Sequence, residues 1–485
     1  MSEINRTGTL PHPLGAGGPP LADGPARLRE RRRFRPSRAE LYARGKSLRE
    51  KCPRRSHAVW RPPSGREDPL AVLERSDEGR IPELLPIRHG RMLRSPFAFF
   101  RGSALNMAAD LSATPVSGLR VQACGDCHLL NFGGFATPER RVVFDINDLD
   151  ETLPAPWEWD AKRLAASFVL ACRDDGFGEA AARAAALLCV RSYRQGMIEF
   201  GAMPVLDGWH SAIPVDSLSA DVEDAEARRR VRKRLDKARR RSAAEREFQE
   251  LATADGPTPL IRERPPLIYH PRGPGFEGFS ENVRKTFARY RESLPEERRV
   301  LLDRFAVMDV AVKVVGVGSV GMVCAVVLLM AGEEEPLFLQ VKEARPSVLE
   351  PYAGKSVYGN HGERVVRGSR LMQSAGDLFL GWTSGELGRH HYVRRLNDMK
   401  IKIRVEGFTP GVMLEYAGLC GRCLARAHAR SCEPAAIAGY MGKSDVFDEA
   451  VADFAVAYAD QCERDHEALV RAARSGRLEA FVEPT

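Results

Sequence analysis

Residues 125–131 read Gly-Asp-Cys-His-Leu-Leu-Asn, and fourteen positions beyond Asn131 an apolar run ends in Phe144-Asp145. Asp126 and Asn131 thus stand five apart on a short loop, and Asp145 closes a strand-like Arg-Val-Val-Phe-Asp stretch. Phosphoryl transfer from a nucleotide calls for these residue types: an Asp to orient the attacking hydroxyl and accept its proton, with an Asn and a second Asp on Mg²⁺. Amide and carboxylate oxygens are hard ligands suited to Mg²⁺, which keeps several waters and shares its coordination with phosphates. The assignment is Asp126 for the hydroxyl, Asn131 and Asp145 for the metal, and Asp148 as a further ligand. His128 is expected to stabilise the loop rather than carry protons.

A second constellation lies far along the chain. Val310 to Met330 places Gly316-x-Gly318-Ser319-x-Gly321 between two β-branched runs, which predicts a strand, a tight turn and a returning strand. Leu337 to Lys342 predicts another strand ending in one cation, and Glu363 opens a segment of helical character. Twenty-one residues separate Gly321 from Lys342, and another 21 separate Lys342 from Glu363. A glycine turn over phosphates, with a strand Lys held by a helix Glu, is how nucleotide phosphates are covered and neutralised. Gly316, Gly318, Ser319, Gly321 and Lys342 are therefore the nucleotide candidates, with Glu363 as the partner of Lys342. A dinucleotide fingerprint would need a helix after the glycines; Val323 to Leu329 is too β-branched for one. Arg101 and Lys400 are further candidates for contact with phosphate or substrate.

The Gly-Asp-x-His-x-x-Asn form resembles the aminoglycoside and choline phosphotransferases of the kinase-like superfamily. That resemblance implies ATP and Mg²⁺ as cofactors, a hydroxyl acceptor on a small molecule or protein, and a two-lobe α+β fold. The parts are out of order, since the catalytic loop precedes the glycine turn. The simplest account is a circular permutation, which is tolerated where termini and surface junctions lie close together. Gly90 to Gly102, Gly125 to Gly133, Phe144 to Glu151, Trp157 to Leu164 and Tyr392 to Lys400 also resemble the bacterial family called domain of unknown function 2252. That likeness covers most of residues 80–470 and implies architecture more than a defined activity. Asp160 resembles the kinase-like residue that braces the catalytic loop by accepting backbone N–H bonds. Cys124 stands where the phosphotransferases have a His, and the stretch after Asp145 lacks the glycine of the kinase Asp-Phe-Gly. Transfer of AMP and loss of activity stay open beside phosphoryl transfer.

Cys124-Gly-Asp-Cys127-His128 also fits the attachment pattern of a c-type haem, but that leaves Asp126, Asn131 and Asp145 unexplained, and the N-terminus is Pro/Arg-rich rather than apolar. A four-thiolate zinc site with Cys420 and Cys423 would pair cysteines nearly 300 residues apart, far beyond a zinc ribbon. Ten scattered cysteines in 485 residues suit a reducing cytoplasm better than a disulfide framework. The uncharged stretch Val314 to Gly332 carries four glycines and reads as a buried hairpin, not a membrane span.

The elements that must position these residues fall into four parts. Residues 1–55 are expected to be a basic, disordered arm, and 56–300 a helical lobe with the catalytic and metal-binding loops. Residues 301–405 are expected to form a β-rich nucleotide lobe, and 406–485 helices packing on the helical lobe. Ala- and Leu-rich runs predict helices over 164–172 and 179–200, with a short helix at 301–307 and another at 416–429. The net charge of +8 is uneven: residues 27–55 hold thirteen Lys/Arg against three Glu, so the rest sums to −2. That arm reads first as a solvated tail and second as a nucleic-acid contact, the basis of a non-catalytic alternative. Arg228 to Arg241, ten Lys/Arg and one Asp, lies in a long helical segment from 222 to 251 read as a solvent face.

Overall fold

A computed structural model describes residues 36–216, 229, 248–253, 258–272, 279–314, 316–333, 335–385, 388–396 and 401–483. Most of the 222–251 helix, residues 27–35 of the basic arm and Lys400 lie outside the described residues.

The chain opens with α1 (Arg38–Ser47), α2 (Pro69–Asp77), α3 (Leu85–Met92), α4 (Pro96–Gly102) and α5 (Ala104–Ser112). Local chemistry starts several of them. The Ser37 hydroxyl accepts from Glu40 N–H in a capping box, Asp68 accepts from Leu70 N–H ahead of Pro69, and Ser95 accepts from Ala98 N–H ahead of Pro96. Strands β1 (Arg120–Ala123), β2 (Phe132–Ala136), β3 (Val142–Ile146) and β4 (Leu153–Pro156) follow. Next come α6 (Trp157–Asp174) and α7 (Glu179–Ala202). Strand β5 (Ile268–Tyr269) leads to α8 (Phe279–Glu292) and α9 (Glu296–Leu302). Then run β6 (Ala306–Lys313), β7 (Cys324–Ala331), β8 (Glu335–Ala344), α10 (His361–Met372), β9 (Gly381–Ser384), β10 (His390–Arg395) and β11 (Ile401–Lys402). Helices α11 (Pro410–Ala429), α12 (Pro434–Met441) and α13 (Val446–Arg474) complete the chain.

A six-stranded antiparallel sheet in the order β9-β10-β8-β7-β6-β5 forms the β-rich part. Alternation along its strands sorts the side chains. Val327, Leu329, Leu337 and Leu339 pack with Tyr290 and Leu294 of α8 and its exit turn, while Val326, Leu328, Met330 and Phe338 meet Leu251 and Ile261 on the other face. The β-rich part therefore begins before residue 301: α8 and α9 lie against this sheet, and the short helix expected at 301–307 ends at Leu302, after which β6 begins. The helical part is one large core in which α4–α7, α11 and α13 share buried contacts with β1–β4.

Residues 36–55 correct the expectation of a disordered arm. Helix α1 crosses α12 at two glycines: a Cβ on Gly45 would fall 1.8 Å from Ala436 O, and one on Gly439 2.1 Å from Tyr42 O. Only glycine permits backbones to approach that closely. The basic side chains have a structural use here. Arg49 donates to the carbonyls of Gly439 and Tyr440, Arg54 to that of Met441, and Arg38 to those of Ala202 and Met203. Cations at the C-terminal ends of α7 and α12 satisfy orphan carbonyls and meet the negative end of the helix dipole.

Candidate active site

Strand β1 delivers the chain into the loop 124–131. Gly125 adopts φ +83°, and a Cβ there would meet Glu151 O at 2.5 Å, so the turn requires glycine twice over. Asp160, near the start of α6, accepts from the N–H groups of Cys124 (2.5 Å) and Gly125 (3.1 Å), with His428 Nε2 at 3.1 Å. It sits inside the helix rather than capping it, and it braces the loop as anticipated. Ser167 Oγ accepts from Leu129 N–H, and the Asn131 amide donates to Asp126 O at 2.8 Å. Each of these bonds satisfies a buried polar group while setting the loop's shape.

Asp126 Oδ1 takes both Arg163 Nε (3.0 Å) and Nη2 (2.5 Å), and His128 Nε2 lies 3.9 Å from Oδ2. Burial, ahead of the neighbouring charges, pushes the His128 imidazole down to about 3, so the ring is neutral near pH 7. A neutral ring that is nearly inaccessible fits a loop-stabilising role.

The glycine turn between β6 and β7 is tied to the helical part by its carbonyls. Arg80 Nη1 donates to Gly318 O and Val320 O (both 2.7 Å), Arg91 Nη1 to Gly316 O (2.5 Å), and Ile81 N–H to Gly321 O (2.7 Å). Gly316 and Gly321 have φ of +71° and +84°, conformations that glycine adopts without strain. A hypothetical Cβ on Gly318 would lie 3.4 Å from Arg101 O. The loop at 124–131 and the turn at 316–319 face a common cavity of about 780 Å³. Arg101, Asp126, His128 and Asn131 line it on one side, and Gly316, Gly318 and Ser319 on the other. Asp148, Asp150 and Glu151 line it as well.

Four assignments change. Asp145 does not line the cavity. It is fully buried, with Oδ1 bound by Arg426 Nη2 (2.5 Å) and Ile146 N–H, and Oδ2 by the N–H and Oγ of Ser374 (both 2.7 Å). A carboxylate so engaged has no lone pair to offer a metal. Glu363 is not the partner of Lys342: it pairs with Arg367 one helical turn away, at 3.1 Å. Lys342 Nζ instead contacts Asp150 Oδ2 at 2.5 Å, with Asp148 Oδ2 at 3.9 Å, while the Tyr392 hydroxyl donates to Asp150 Oδ1. Burial opposes the ammonium, but Asp148 and Asp150 outweigh it and hold Lys342 well above the ordinary lysine range. Lys342 itself and Gly321 are set back from the cavity wall, one behind Asp150 and the other against Arg80.

Asp150 is the residue that sequence reasoning missed, although the run Asp148-Leu-Asp150-Glu151 was its signal. Burial and then Asp148 raise its carboxyl, and the neighbouring Lys342 and Arg394 offset only part of that. Asp148, Asp150 and the Asn131 side-chain oxygen are hard donors on one wall, and the Lys342 ammonium and Arg394 guanidinium both act on the two carboxylates. That set fits a dication. The cluster of Cys124, Cys127 and Asp160 fits a metal poorly. Its ligand atoms lie within 4.8 Å of one another, yet Asp160 is already engaged and burial holds both thiols protonated, Cys127 up to about 12. Among the described residues no helix is long and apolar enough to cross a membrane.

No curated protein and no solved structure matches the chain. A model for a family described as an uncharacterized protein conserved in bacteria matches residues 80–472, which include the 124–131 loop, the acidic run and the glycine turn, and the chain belongs to that family, DUF2252.

Proposed function

We propose that this cavity is the active site of an ATP- and Mg²⁺-dependent phosphotransferase with a circularly permuted, kinase-like arrangement of parts. The observation that carries the reading is the shared cavity, which brings a glycine turn and an Asp-x-x-x-x-Asn loop nearly 190 residues apart to face each other. The order β6, glycine turn, β7, β8 with Lys342, then α10, follows a kinase nucleotide lobe. The permutation finds support at the end of α11, where Ser431 Oγ accepts from Gln122 N–H of β1 at 2.9 Å. A chain in the usual kinase order would pass from that helix into the catalytic loop at this point.

In this reading Asp126 keeps Oδ1 on Arg163 and uses Oδ2 to orient the acceptor hydroxyl and take its proton. Backbone groups of Gly318 and Ser319 cover the nucleotide phosphates. Arg101, whose buried Nε has no hydrogen-bond partner among the described residues, contributes a cation beside Asp126. Asn131, Asp148 and Asp150 hold Mg²⁺, which supplies charge neutralisation on the transferred group. Lys342 and Arg394 favour the ionised form of the two carboxylates, and Lys342 holds Asp150 in place. Burial of Lys342 and partial burial of Asp150 strengthen their charges relative to water. Purified protein should bind Mg·ATP saturably, and labelled ATP incubated with a metabolite extract should pass its γ label, not its α label, to an acceptor. Passage of the α label would make it an AMP-transferase, and an Asp148→Asn variant that still binds Mg·ATP unchanged would refute the metal assignment.

A further inference from the structure

The cavity extends past the catalytic loop to a wall that phosphoryl transfer to a neutral alcohol would not need. Three guanidinium groups converge there on the turn Ser76–Arg80. Arg80 Nε donates to Ser76 O, Arg88 Nη2 to Ser76 Oγ, and Arg345 Nη2 to Glu78 O. All three arginines line the cavity. The nearby carboxylates do not balance them. Asp77 serves both Arg88 (2.8 Å) and Arg80 (3.7 Å). Glu343 pairs with Arg389, Glu350 lies by His361, and Glu151, which accepts from Val348 N–H, acts on Arg80 without an ion pair between them among the described residues. No carboxylate of the described residues pairs with Arg345. Buried Arg88 Nε lacks a hydrogen-bond partner among the described residues.

We infer that the wall formed by Arg80, Arg88 and Arg345 is an anion subsite that seats an oxyanion, phosphoryl or carboxylate, carried by the acceptor whose hydroxyl reaches Asp126. The inference rests on the transferase reading for the word acceptor. Among the described residues Arg345 pairs with no carboxylate and Arg80 Nη2 makes no hydrogen bond, so these groups can receive the oxyanion. Arg88, whose Nη2 is held by Ser76 Oγ and Gly102 O, adds its charge behind them. The partly desolvated cluster with one shared carboxylate is short of negative charge. Arg80 is the costliest of the three to keep charged: burial first, then repulsion from Arg88, brings it down to about 9. Added oxyanion charge would relieve that repulsion.

The test is calorimetric titration of the full-length protein with inorganic phosphate, alone and with saturating Mg²⁺ and a non-hydrolysable ATP analogue. Saturable phosphate binding is expected in both conditions. Arg345→Gln should weaken it by about tenfold or more while changing analogue affinity by less than about twofold. Should that variant fail to fold, Arg345→Lys keeps the charge, loses the fork, and is expected to weaken phosphate several-fold. Absence of saturation, unchanged binding in the variant that folds, or displacement of phosphate by the analogue would overturn the inference, the last by giving the arginines to the nucleotide. Phosphate bound by a protein that takes no analogue would sink the transferase reading and the acceptor role with it, and so separates that failure from an empty anion site.

Discussion

Asp145 and Asp148 lie three residues apart, and exchanging each for Asn should have opposite consequences. Asp145 is fully buried against Arg426, itself 1% exposed, and Asn can keep the bonds from Ser374 only by turning its amide N–H₂ toward the guanidinium. Arg426 would then keep only the Met372 carbonyl and be a buried cation without a counter-charge, and removing one member of such a pair costs about 3–5 kcal/mol. Unfolding entropy of about 2.1 cal/mol/K per residue over 485 residues gives about 1 kcal/mol per kelvin. If the chain melts cooperatively, Asp145→Asn should therefore lower Tm by about 3–5 °C. The assay is a calorimetric or fluorescence melt beside Asp148→Asn, whose parent side chain is 35% exposed and which should shift stability by less than about 1 kcal/mol. A stable Asp145→Asn protein that had lost Mg·ATP binding would refute the reasoning and return Asp145 to the metal.

Other outcomes follow from the same geometry. Asp148→Asn should abolish Mg²⁺-dependent nucleotide binding in a titration while the protein stays folded, since it removes a charge from the donor wall. Glu151 is raised from 4.5 to about 7, by burial first, so between those values the folded state holds more protons than the unfolded one. Stability should fall as pH rises through that window, by at most about 3 kcal/mol, with the loss complete above 7. Denaturant melts at pH 5 and 8 should show that Glu151→Gln lacks this component, and an identical slope in both proteins would refute it. Gly439→Val should drive α1 off α12, because the added carbons meet Tyr42 O, and limited proteolysis should then cut within residues 36–55. Persistence of a protected α1 would show that the crossing can adjust.

Much of the fold was legible because its signals are local. β-branched runs around three glycines can form only a strand, a turn and a strand, and α6, α7, α10 and α11 extend the helical runs that composition indicated. The basic arm misled because charge density without apolar periodicity resembles a tail. Its stability comes from glycine-to-backbone contacts and from helix C-termini far along the chain, which leave no periodic trace.

The amino-acid sequence by itself determined which chemical groups this protein has to work with: an Asp and an Asn on one tight loop, an acidic run after a strand, a glycine turn and a strand Lys. Tertiary structure alone decided which of them share a space. Asp145 and Asp148 differ in whether they close on Arg426 or open on the cavity, a matter of which layer packs over the end of β3. Glu363 and Arg364 are neighbours on α10, but successive residues point about 100° apart around a helix. The packing of α10 turned Arg364 inward onto the carbonyls of Thr152, Asp150 and Arg345, and left Lys342 to find its partner outside the six-stranded sheet in Asp150. Charge pairing in a buried cleft is settled by distances of a few ångströms between distant segments, and spacing along a chain does not contain them.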